Sequence, residues 1–220
     1  MATELKFGRR AARSGQAKSL VVFLHGYGAD GADLLGLADP LGPHLPDTVF
    51  VAPNAPEPCQ GNPFGFQWFS IPRFDGTTEA EAEAGLLRSA AAIDAFLDAR
   101  LAEEGLGPEA LALVGFSQGT MMSLQVAPRR AAAIAGVVGF SGRLIAPERL
   151  AAEVRVRPPM LLIHGDADEM VPFASLELAA DALASDGFEI YTHVSRGVGH
   201  GIAPDGLTVA LQFLRQVLPG

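Results

Sequence analysis

The feature that most constrains this chain is an alternation of two hydrophobic periods. Short apolar runs occur at residues 20–24, 48–51, 111–114, 134–140, 160–163 and 188–194. Between them, residues 79–104, 118–127, 173–185 and 204–217 carry apolar side chains at helical spacing. The short runs are nearly continuous in hydrophobicity, the signature of strands covered on both faces. Strands alternating with helices imply a mostly parallel sheet wrapped by helices. Residues 5–9 fit an added edge strand. In the last helix, Leu207, Leu211, Leu214 and Leu218 form a stripe that reads as core packing. At 220 residues the chain fits one domain over 1–220, with a substantial core.

Within this pattern Gly115-Phe116-Ser117-Gln118-Gly119 falls between an apolar run and a helix. A serine between two glycines at a strand-to-helix turn is the nucleophile elbow of α/β-hydrolases. The turn is tight enough that side chains flanking the serine would clash, which calls for glycine on both sides. It exposes the serine Oγ at the carboxyl edge of the sheet, near the positive end of a helix.

Serine is a weak nucleophile at neutral pH and needs a base, which needs an orienting acid. On this fold the partners follow in the order serine, acid, histidine. The acid candidates are Asp166 and Asp168, directly after the run at 160–163; the residues alone leave them even. Asp166 would otherwise shape the turn by bonding its own backbone. The base candidate is His200, flanked by Gly199 and Gly201, after the last strand and before the last helix. His25 and His164 precede glycines at strand ends, where a buried imidazole can bond backbone. His44 lies in a Pro-rich loop and His193 on the last strand.

An oxyanion hole needs two inward backbone N–H groups. Gln118, the residue after the nucleophile, supplies one. The other is expected from Tyr27, in the glycine-rich loop after the first run. Residues 55–76 are rich in Pro, Gly and aromatics, too broken for a helix and too long for a simple connector. They read either as a functional surface loop or as a satellite core.

The net charge of -9 disfavours nucleic acid and anionic lipid as partners. Cys59 is the single cysteine, so no internal disulfide or zinc cluster can form, and it reads as structural. No apolar core of a signal peptide opens the chain, and no run reaches membrane-spanning length. The expectation is a cytoplasmic protein without stable membrane insertion.

Taken together, Phe23–Gly28, Gln67–Phe69, Gly115–Gly119, His164–Asp168 with Val171-Pro172, and Gly199–Ile202 resemble the phospholipase/carboxylesterase family of small α/β-hydrolases. That family includes bacterial carboxylesterases and acyl-protein thioesterases. The resemblance spans nearly the whole chain in family order. It implies the α/β-hydrolase fold without a large lid domain, and a triad of Ser117, Asp168 and His200. It places the acid at the second aspartate of the pattern.

It further implies a serine carboxylesterase acting through an acyl-enzyme, with no metal and no cofactor. The substrate would be a small acyl ester or thioester, and a homodimer is compatible with the family. Trp68 and Phe69 are expected to form an apolar acyl site with Met170 and Val171. The rivals are an acyl-protein thioesterase, a lysophospholipase and, in another class, a catalytically silent binding protein. The chain departs from the family pattern at Glu169, often proline, at Thr120, often glycine, and at Ser70, often aspartate. The last bears on the shape of the acyl pocket.

Overall fold

A computed structural model describes residues 5–219. The strands are β1 (Phe7–Arg10), β2 (Ser19–Leu24), β3 (Thr48–Pro53), β4 (Glu57–Cys59), β5 (Asn62–Gln67), β6 (Leu111–Phe116), β7 (Gly136–Phe140), β8 (Met160–Gly165) and β9 (Ile190–Ser195). The helices are α1 (Gly31–Leu35), α2 (Ala38–Leu41), α3 (Pro72–Asp75), α4 (Glu79–Glu104), α5 (Gln118–Val126), α6 (Leu150–Glu153), α7 (Ala174–Ser185) and α8 (Pro204–Val217).

Seven strands form one sheet in the order β1-β3-β2-β6-β7-β8-β9. Only the β1–β3 pair is antiparallel; the other pairs are parallel. Period-two alternation explains the continuous apolar runs. Leu20, Val22 and Leu24 face one core, and Val21 and Phe23 face the other. Leu86, Ile93 and Leu97 of α4 and Leu183 of α7 cover the first face. Leu34, Leu41, Phe213 and Leu214 cover the second, from α1, α2 and α8. Each fully buried side chain of this kind contributes about 1.5–3 kcal/mol relative to exposure.

Helix ends follow local chemistry. Thr78 and Glu81 form a reciprocal capping box at the start of α4, and Gly105 ends it at φ 67°. In α8 the inward stripe is Ala210, Phe213 and Leu214, continued by Leu218, while Leu207 and Leu211 sit partly exposed at its flanks. The segment 55–76, expected to be irregular, holds a short antiparallel hairpin of β4 and β5 and the one-turn helix α3. Its broken composition hid the strands, since Pro58 and Pro63 lie inside them.

The chain leaves β3 on one side of β2 and returns to β6 on the other. Ligands of open α/β sheets bind at such a switch point, outside the carboxyl ends of the strands. Ser117 follows β6 there, and the loop from His25 follows β2.

Candidate active site

Ser117 occupies φ 53° and ψ -114° between β6 and α5. Such a conformation costs a non-glycine residue about 1–3 kcal/mol and persists only where its surroundings hold it. The Ser117 N–H donates to the Phe140 carbonyl at 2.8 Å, and its own carbonyl accepts from Met121 N–H at 3.1 Å. A Cβ on Gly119 would stand 1.8 Å from the Leu24 carbonyl oxygen, and one on Gly115 2.5 Å from Thr120 N. Both glycines are therefore required by space. Thr120, at a position often glycine in the family, fits because Gly139 and Gly142 leave room for it. Its hydroxyl donates to the Phe140 carbonyl at 2.8 Å.

His200 Nε2 lies 3.0 Å from Ser117 Oγ, and His200 Nδ1 lies 2.8 Å from Asp168 Oδ2. A carboxylate can only accept, so Nδ1 carries the proton and Nε2 presents a lone pair to the serine hydroxyl. Asp168 Oδ1 accepts from Met170 and Val171 N–H, each at 2.9 Å. His164 Nε2 adds a contact of 3.3 Å to Asp168 Oδ2 while bonding the Val171 carbonyl at 3.0 Å. Burial alone would raise the Asp168 pKa. The hydrogen bond from His200, with those from Val171 and Met170, outweighs burial and holds the carboxyl below its ordinary value.

Asp166 does not bond its own turn, as the sequence suggested. Its Oδ1 accepts from Gly197 N–H at 2.6 Å, tying the end of β8 to the loop that carries His200. His25 and His164 do bond backbone, and His193 pairs with Asp205 at 2.8 Å.

A cavity of about 700 Å³ opens over Ser117 and His200. Its walls include Phe69, Met121, Ile145, Met170 and Val171. Its mouth carries Arg73, Arg143 and Arg149 beside Glu79, Glu83 and Glu148. A cavity of this size suits a small organic ligand. Tyr27 and Gln118 line it too. Neither backbone N–H has a hydrogen-bond partner among the described residues.

Trp68 is a correction. It does not line the cavity; it is fully buried, its indole N–H donating to the His25 carbonyl after β2 and its backbone N–H to Gln118 Oε1 on α5. Both residues lie in the bend that follows β5, where Phe69 lines the wall and Trp68 turns inward. The sequence also left unread the backbone role of Met170 and Val171 and the side-chain role of Gln118. Main-chain donors leave no residue-type signal.

Among the described residues, no cluster of His, Cys, Asp or Glu is arranged to hold a metal ion. No described helix is long and apolar enough to cross a membrane.

A mostly parallel sheet with this elbow, and with Asp168 and His200 on later loops, defines an α/β-hydrolase. The profile of the phospholipase/carboxylesterase family matches residues 11–218, and the chain belongs to that family. It is 30% identical to Esterase YpfH of Escherichia coli (strain K12), over 92% of this chain and 84% of that one. It is also 30% identical to Acyl-protein thioesterase 1 of Saccharomyces cerevisiae, over 96% and 97% of the two chains. The crystal structure of esterase PE8 superposes with a TM-score of 0.93 at 46% identity, covering 98% of this chain and all of that one. The protein is a hydrolase, and the described residues form no large lid domain.

Proposed function

We propose that the protein is a serine carboxylesterase with Ser117 as nucleophile, His200 as base and Asp168 as orienting acid. The observation that carries this reading is the chain of contacts Asp168–His200–Ser117, at 2.8 and 3.0 Å, ending beneath the cavity. Ser117 Oγ attacks the acyl carbonyl carbon as its proton passes to His200 Nε2. The carbonyl oxygen becomes an oxyanion facing the Tyr27 and Gln118 N–H groups. Collapse expels the alcohol, which takes the proton from His200. Water then attacks the acyl-enzyme through the same histidine and releases the acid. Asp168, held ionised, fixes the imidazole tautomer and stabilises its cation.

A fluorophosphonate probe tests the assignment. It should label Ser117, as read by peptide mass spectrometry, and Ser117→Ala should lose both labelling and ester hydrolysis. Loss of a triad nucleophile costs roughly 10⁶ in turnover in a well-studied serine hydrolase. Near-native turnover in Ser117→Ala would refute it, and an unreactive wild-type protein would favour a silent binding role.

The second reading is a thioesterase acting on acylated proteins. It rests on the yeast relative, matched over nearly its whole length, and on Met170 and Phe74, both half exposed at the cavity. The same tetrahedral oxyanion serves both reactions. Matched oxygen esters and thioesters, compared by kcat/KM across acyl length, separate the two.

A further inference from the structure

Trp68 and the Gln118 side chain touch neither the triad nor the cavity in any way that the hydrolysis above uses. Both are nevertheless buried and polar-bonded at every turn. Gln118 Oε1 accepts from the Trp68 backbone N–H at 2.8 Å, and its Nε2 donates to the Phe69 carbonyl at 2.8 Å. The donor and acceptor on that backbone fix which end of the amide faces which. The Trp68 indole N–H donates to the His25 carbonyl at 2.9 Å. The Ser89 hydroxyl donates to the Trp68 carbonyl.

The His25 end is braced equally. Ala55 N–H donates to His25 Nε2 at 2.9 Å, so the ring proton sits on Nδ1 and donates to the Gly26 carbonyl at 2.8 Å. Beyond Tyr27, Gly28 N–H donates to the Phe66 carbonyl at 2.9 Å, and the Ala29 carbonyl accepts from Phe66 N–H at 2.8 Å. Asn62 Nδ2 donates to the Gly28 carbonyl at 2.8 Å. The carbonyls of His25, Gly26, Gly28 and Ala29 are all bonded. The Tyr27 N–H between them points to no protein acceptor among the described residues.

We infer that Trp68 is a positioning residue for the oxyanion hole, joining its two donors through one hydrogen-bonded path. The path runs from Gln118, whose own N–H is one donor, through Trp68 to the His25 carbonyl. From there two peptide units lead to the second donor, Tyr27. Backbone donors stabilise an oxyanion only when they are already in place, because moving them during reaction costs reorganisation. A misplacement of about 1 Å can cost roughly 10²-fold in rate. The Trp68 indole fixes the spacing between a donor on the α5 side and a donor on the β2 side. Nothing else described bonds to the His25 carbonyl. This inference rests on the oxyanion-hole assignment proposed above.

Trp68→Phe tests it, since the ring's bulk is largely kept and only the N–H is removed. Gln118→Met, nearly isosteric and apolar, cuts the path at its other end. Each variant is measured with a short p-nitrophenyl ester, with a trifluoromethyl ketone that forms the tetrahedral adduct, and with the matching ether, which has no carbonyl. The expected result is a fall of about 10–100-fold in kcat with KM little changed, less than the roughly 10²–10³ seen when a donor is deleted outright. The ketone weakens by the same factor, while the ether binds within twofold of wild type.

A native kcat in Trp68→Phe overturns the inference. So does equal weakening of ketone and ether, or loss of fold in both variants, each of which makes Trp68 a packing residue only. Fluorophosphonate labelling of Ser117 in the wild type separates these failures from failure of the underlying reading. A labelled Ser117 with an indifferent Trp68→Phe leaves the esterase assignment standing.

Discussion

His200 Nδ1 and Asp168 Oδ2 are 2.8 Å apart, with the aspartate side chain wholly shielded from water and the imidazole one-fifth exposed. The other carboxylate oxygen is committed to two backbone N–H groups, of Met170 and Val171. That commitment dictates what an amide would do at this position. In Asp168→Asn the carbonyl oxygen must stay with those two donors, so the NH₂ turns toward His200. The proton is then forced from Nδ1 to Nε2, where the ring can no longer accept from Ser117. Turnover should fall by about 10⁴, the loss seen for the same change in a chymotrypsin-type triad.

Asp166→Asn should behave oppositely, because the amide oxygen can still accept from Gly197 N–H. Steady-state kinetics should show a change of no more than a few-fold. Turnover falling further in Asp166→Asn than in Asp168→Asn would move the acid to Asp166.

Gly119→Ala should destroy the elbow rather than tune it. The added methyl would overlap the Leu24 carbonyl oxygen, which is strand backbone and cannot rotate away. Overpacking of this kind costs typically about 1–3 kcal/mol, occasionally more. A lowered melting temperature together with lost labelling of Ser117 is the expected pair. A stable, fully active Gly119→Ala would contradict the packing described at the start of α5.

Much of the architecture was legible because two-sided burial writes itself as continuous apolar runs and amphipathic helices write themselves at period 3.6. The range 79–104 coincides with α4, where Thr78, Glu81 and Gly105 supply local start and stop signals. Ser117, the aspartate pair Asp166 and Asp168, and His200 were readable as positions in loops after strands, here β6, β8 and β9, while the choice of Asp168 came from the family resemblance. What stayed hidden was orientation. Trp68 and Phe69 are alike in hydrophobicity, and only the three-dimensional path decides that one faces the cavity and the other bonds the His25 carbonyl. Asp166 likewise bonds across 31 residues to Gly197, a partner no local rule would choose.

His25 gives the protein a stability that depends on pH. Its ring accepts from Ala55 N–H, which a protonated ring cannot do, and burial lowers its pKa from the ordinary 6.5 against the opposing Gly26 hydrogen bond. A histidine depressed in the folded state binds its proton more readily when unfolded. Its contribution is therefore complete above about 6.5 and is lost progressively as pH falls from there through the folded pKa. Urea unfolding across this window should show stability declining with acid. His25→Gln should be less stable at neutral pH and should flatten that decline. An equally steep decline in the variant would assign it to other groups.

The cavity makes a prediction about chain length. Met170 lines it but is half exposed, so truncation there removes contact with a ligand and little core packing. Met170→Ala keeps the backbone N–H that holds Asp168, so the triad geometry is not disturbed. A surface change of this kind shifts stability by about 0.5 kcal/mol or less. Each methylene no longer covered costs about 0.8 kcal/mol, which is roughly a fourfold loss in kcat/KM. Octanoate esters should therefore lose several-fold more than acetate esters, at an unchanged melting temperature. Phe69→Ala, which empties a buried wall position, should lower the melting temperature as well. A uniform loss from acetate to octanoate in Met170→Ala would place the acyl path along another wall of the cavity, away from the loop that follows β8.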